Sequence, residues 1–157
     1  MKKLIFMVIS ISVIFTGCVG DDVALHKFDN ENLLNQLENE SFQPKLPTKL
    51  PFKASHAQFT RPPNQTNLIS IDIFSDDEKS DHLSMMVVKG DMESVSQSGF
   101  EQVEIGNIQG YYVKNQAGAM LLYWTDNSID YQMTYFSPQS ESEVTKEELI
   151  ETAESFK

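Results

Sequence analysis

Apolar and polar residues alternate with a period of two through the middle of this chain, and with a helical period only near its ends. Ala57 and Phe59 fit an edge strand that Pro62-Pro63 and a polar turn at 64–67 would stop. Ile69, Ile71 and Ile73 alternate with Ser70 and Asp72, the signature of a half-buried strand. Residues 83–89 are apolar on both sides, Met85 and Val87 against Met86 and Val88, which predicts a central strand. Val103 and Ile105 alternate with Gln102 and Glu104, and Gly106-Asn107 offers a tight hairpin before a return strand at 108–113. A turn at 115–118, a strand at 120–125, a turn at Asp126-Asn127-Ser128 and a strand at 129–136 follow. In the last strand Ile129, Tyr131, Met133 and Tyr135 share a face, with Asp130, Gln132 and Thr134 on the other.

Before this region, Asp29 is placed as a helix N-cap, with Phe28 and Leu33 set as a hydrophobic staple. Leu33, Leu34 and Leu37 would line one face of a helix running to about residue 39. Pro44, Pro47 and Pro51 make 40–52 an extended connector. After Pro138, Thr145 and Glu148 match a capping box, and Leu149, Ile150, Ala153 and Phe156 form the stripe of a closing helix. Strands in the middle and helices at both ends predict an α+β domain. Its core would be a single antiparallel meander of about six or seven strands, with both helices packed on one face.

The first 18 residues obey neither period. Lys2 and Lys3 precede an apolar run at 4–15 that, as a helix, would be roughly 18 Å long against a hydrocarbon slab of about 30 Å. It is too short to span, and its flanks are those of a secretory signal. Phe15-Thr16-Gly17-Cys18 then resembles the lipobox of bacterial lipoproteins. That resemblance implies removal of 1–17 and a diacylglycerol, with its palmitate-type chains, on Cys18. The alternative is an ordinary secretory signal followed by a chance cysteine. Cys18 is the only cysteine, so no disulfide forms within the chain. The expected organisation is a signal peptide at 1–17, a lipidated tether at 18–27 and a globular domain at 28–157. Within that domain, 28–52 would be helix and connector and 53–157 the sheet and closing helix. The location implied is the outer face of a bacterial cell membrane, Gram-positive by preference.

A formal charge of −11 over 157 residues argues against nucleic acid, which needs lysine and arginine to neutralise phosphates. It argues equally against a domain lying flat on anionic head groups.

Catalytic patterns are sparse. His26, His56 and His82 lack metal-ligand spacing, and Ser96-Gln97-Ser98-Gly99 lacks the flanks of a nucleophile elbow. Asp76-Asp77-Glu78-Lys79-Ser80-Asp81 has oxygen ligands to offer calcium. It lacks the glycine of an EF-hand loop and reads better as a solvated turn. No metal or cofactor is implied. The aromatic residues are more informative. Tyr112, Tyr123, Trp124, Tyr131 and Tyr135 concentrate in three strands, and a flat face built from them would take an apolar ligand or a partner protein. Ordinary cross-strand pairing is the plainer reading.

Several short motifs occur in order: Leu50-Pro51-Phe52-Lys53, Val103-Glu104-Ile105-Gly106 with Gly110-Tyr111-Tyr112, Leu122-Tyr123-Trp124 with Ile129-Asp130-Tyr131, and Thr145-Lys146-Glu147-Glu148-Leu149-Ile150 with Ala153-Glu154-Ser155. Together they resemble domain-of-unknown-function family 4367, found in Gram-positive lipoproteins and sporulation-associated proteins, over residues 50–157. The resemblance implies an extracytoplasmic binding or sensor module, with a curved sheet over helices and no catalytic residue to carry over. A carboxylate-dependent extracytoplasmic hydrolase and a structural surface protein are the alternatives.

Overall fold

The computed structural model describes residues 25–75, 81–90, 99–136 and 144–157. Cys18 and its leader, the acidic stretch 76–80, residues 91–98 and Pro138 lie outside the described residues.

The fold is α+β. Strands β1 (His26–Lys27) and β2 (Lys49–Leu50) form a small antiparallel sheet around helix α1 (Glu31–Leu37). The main sheet has seven strands: β3 (Ala54–Thr60), β4 (Leu68–Ser75), β5 (His82–Lys89), β6 (Glu101–Ile105), β7 (Ile108–Lys114), β8 (Met120–Asp126) and β9 (Ile129–Phe136). Helix α2 (Lys146–Glu154) follows. The spatial order β3-β4-β5-β9-β8-β7-β6 is two meanders joined edge to edge, every pairing antiparallel. The expected antiparallel meander-type sheet of about six or seven strands is present, with one non-sequential pairing, β5 with β9.

One sheet face carries the core. Ile69, Ile71 and Ile73 of β4 and Leu83, Met85 and Val87 of β5 are buried, as are Met133 of β9 and Leu122 of β8. Against them pack Leu33 and Leu37 from α1, Leu46, Leu50 and Phe52 from the connector, and Leu149 and Ala153 from α2. Burying each such aliphatic side chain contributes about 1.5–3 kcal/mol, which is why both helices lie on this face. The capping box of α2 forms as expected: Thr145 Oγ1 accepts from the Glu148 N–H at 3.1 Å, and Glu148 Oε2 accepts from the Thr145 N–H at 2.6 Å.

The first helix departs from expectation in three ways. Asn30, not Asp29, is the N-cap, although Asp29 Oδ1 still accepts from the Glu31 N–H at 3.1 Å. The helix ends at Leu37, and Leu34 is 40 % exposed. Leu34 stands about 100° round the helix from Leu33, off the face that Leu33 and Leu37 bury. The extended connector also carries a short strand that its prolines did not announce. Lys49–Leu50 pairs with His26–Lys27, residues placed at the end of the tether.

Candidate functional site

Two tight turns lie at the same end of the sheet. Gly106-Asn107 joins β6 to β7 with Gly106 at φ 59°, and Asn127-Ser128 joins β8 to β9 with φ of 51° and 62°. Positive φ at both central residues suits the twist of a two-residue hairpin. That turn sets Trp124 opposite Tyr131 on the helix-covered face. Their rings stack with centroids 5.0 Å apart and planes 4° from parallel. Phe156, just beyond α2, meets both edge-on, at 5.1 Å from Trp124 and 5.7 Å from Tyr131.

These three rings border a cavity of about 180 Å³ between the two turns, the end of α2 and the connector. Its polar lining is Lys45, Asn107, Asp126 and Glu154. Lys45 Nζ pairs with Asp126 Oδ2 at 2.6 Å, and Asn127 donates to the other carboxylate oxygen at 2.9 Å. Glu154 Oε1 accepts from the Gly106 N–H at 2.8 Å, which ties α2 to the β6–β7 turn. The Tyr131 hydroxyl accepts from the Lys45 N–H at 3.0 Å. Burial pushes the Tyr131 phenol above its ordinary value, the nearby Asp126 charge adds to the rise, and the Lys45 N–H opposes it. A hollow of about 240 Å³ on the β6–β7 hairpin is lined by hairpin residues alone and has no aromatic wall.

Gly110 keeps the wall in place. It lies opposite Trp124, and a β-carbon there would sit 2.7 Å from Ile105 Cδ1. Its absence lets the Ile105 side chain lie across the strand beside the cavity.

The five aromatic residues do not share one surface. Tyr112, Trp124, Tyr131 and Tyr135 lie on the helix-covered face, whereas Tyr123 pairs with Tyr111 on the opposite face. Trp124, Tyr131 and Tyr135 are 5 %, 3 % and 0 % exposed, so the flat binding face is corrected to a buried aromatic layer. Of the five, the structure brings Trp124 and Tyr131 to the cavity. Tyr135 is in the core, its hydroxyl donating to buried Asp81. Tyr112 is half-buried with the Lys146 ammonium 5.9 Å above its ring, and burial raises its phenol while Lys146 opposes the rise. Tyr123 is half-buried with Phe100 edge-on at 5.3 Å.

A second constellation escaped the sequence reading. His56, Phe74, His82 and Phe136 stand in register across β3, β4, β5 and β9, with successive centroids 4.7, 4.5 and 5.0 Å apart. Asp72 Oδ1 lies 2.9 Å from His82 Nε2. Alignment of the β3–β4 and β4–β5 hairpins would have revealed His56, Phe74 and His82 of this ladder, because direct cross-strand partners stack, whereas Phe136 joins it through the non-local β5–β9 pairing. Among the described residues, no three His, Cys, Asp or Glu side chains group so as to hold a metal ion, and no helix is long and apolar enough to cross a membrane.

Fold and cavity together define an α+β domain, its seven-stranded main sheet covered on one face by helices, with a small aromatic and acidic site at one corner. The chain belongs to a family of unknown function: the model of DUF4367 matches residues 57–156, a span that holds all but the first motif read from the sequence. Comparison with curated proteins and with solved structures finds no match.

Proposed function

We propose that this protein is a non-catalytic binding or sensor module, held by lipid on the outer face of a bacterial membrane, with its ligand seated in the corner cavity. One observation carries the reading: Trp124, Tyr131 and Phe156 converge with Asp126 and Glu154 on a single small void. An aromatic wall with a few oriented polar groups is the usual make-up of a ligand site. The anchor rests on the leader and Cys18. A carboxylate-dependent hydrolase would need one of the two acids placed as a proton donor. Here Asp126 accepts from Lys45 and Asn127, and Glu154 from the Gly106 N–H, an arrangement that suits two fixed anions.

Crosslinking and isolation from intact membranes test the proposal, using the natural chain, Cys18→Ala and Glu154→Gln. The expected outcome is a captured species that is lost in both variants. Capture indifferent to Glu154→Gln would place binding elsewhere and remove the cavity from the account.

A further inference from the structure

The cavity's chemistry also selects a ligand class. We propose that it binds a small organic cation carrying a substituted ammonium group, an inference that rests on the binding-module reading above. Aromatic rings attract cations through the negative potential of their faces, most strongly when water is excluded. Trp124, Tyr131 and Phe156 all border the cavity, with their three ring centroids within 6 Å of one another. The opposing polar groups are two carboxylates, Asp126 and Glu154, against the single ammonium of Lys45. The last turn of α2, the negative end of that helix, also lies at the cavity, and no basic residue in that turn offsets it. Beyond the site, a chain charge of −11 favours cations over anions at approach.

Size and lining narrow the class. A volume of about 180 Å³ admits a head group but not a drug-sized molecule. A hard ion such as calcium demands six or more oxygen ligands, and an aromatic wall supplies none. A weakly hydrated ammonium bearing alkyl groups matches both halves of the lining. Lys45 then acts as an internal competitor: its ammonium sits 2.6 Å from Asp126, and its side chain is 46 % exposed.

Trp124, the only tryptophan, reports on the site directly. The full-length chain in non-ionic detergent would be titrated with tetramethylammonium chloride, with sodium chloride as control, while tryptophan fluorescence is followed. A saturable change specific to the organic cation is expected. Affinity should fall about five- to tenfold in Asp126→Asn and rise by a similar factor in Lys45→Ala or Lys45→Gln. Circular dichroism melts confirm that each variant is folded. The absence of a saturable response in the natural chain and in both Lys45 variants would overturn the inference. A response to neutral sugars or carboxylates instead, lost when Lys45 is replaced, would also overturn it while leaving the binding-module reading intact.

Discussion

At Gly110 a single missing carbon governs the packing of the site. A β-carbon at this position would meet Ile105 Cδ1 at 2.7 Å and the Tyr123 carbonyl oxygen at 3.0 Å. The isoleucine tip can rotate, but a backbone carbonyl in a paired strand cannot retreat without distorting β8. Gly110→Ala should therefore cost about 1–3 kcal/mol, read as a lower urea midpoint with an unchanged slope. Tyr131 offers a second test, through pH. Its phenol is raised above the unfolded value of 10.0, so the folded state holds the proton more tightly. The resulting stability is fully present below pH 10.0 and is lost as pH climbs through the folded value. Tyr131→Phe should be about 1 kcal/mol less stable at neutral pH, because the Lys45 N–H loses its acceptor. Above pH 10.0 it should decline less steeply than the natural chain. Some alkaline decline persists, since Tyr112 and Tyr123 are raised by burial as well. Parallel melts at neutral and alkaline pH would show both effects, and equal alkaline slopes would contradict the assignment.

At the level of elements, what could be read from the sequence was what is local. The capping box of α2 depends on residues three apart, and it forms where the pattern placed it. Thr145→Ala should accordingly cost about 1 kcal/mol in a thermal melt, with Thr145→Ser nearly neutral because it retains the acceptor oxygen. The strands were legible by alternation, and the hairpin at Gly106-Asn107 by its turn residues. The candidate site was not, for reasons that can be named. Reading Asp126-Asn127-Ser128 as a three-residue turn leaves open which residue faces Trp124. The observed two-residue turn, Asn127-Ser128, fixes Tyr131 opposite it. A one-residue slip exchanges the two faces of a strand, so the register decides whether an aromatic residue is core or surface. Successive strand residues such as Tyr111 and Tyr112 point to opposite faces, but which face lies under the helices depends on how α2 and the connector pack. The cavity itself draws on Lys45, the β6–β7 turn, the β8–β9 hairpin and the end of α2, segments that only the assembled fold brings together. The β5–β9 pairing is equally non-local, and no turn motif announces it.

On the scale of the whole molecule, the proposed anchor and the net charge pull in opposite directions, and their balance can be measured. A chain carrying −11 gains nothing from an anionic leaflet, whose attraction is reserved for basic segments. On the proposed anchoring, retention would come from hydrocarbon. Each buried methylene contributes about 0.8 kcal/mol, so one acyl chain holds only marginally while two hold durably. A diacylglycerol on Cys18 would supply two at a single residue. Two results follow if this is the mode of attachment. Cells given labelled palmitate should yield labelled protein in the membrane fraction, and a high-salt wash should leave it there, because salt screens charges but does not weaken acyl burial. Cys18→Ala should lose the label entirely and lose durable membrane retention. An unlabelled natural chain shed into the medium would end the lipid-anchor proposal. Release by salt alone would mean that a charged partner, and not a lipid, keeps this acidic domain at the surface.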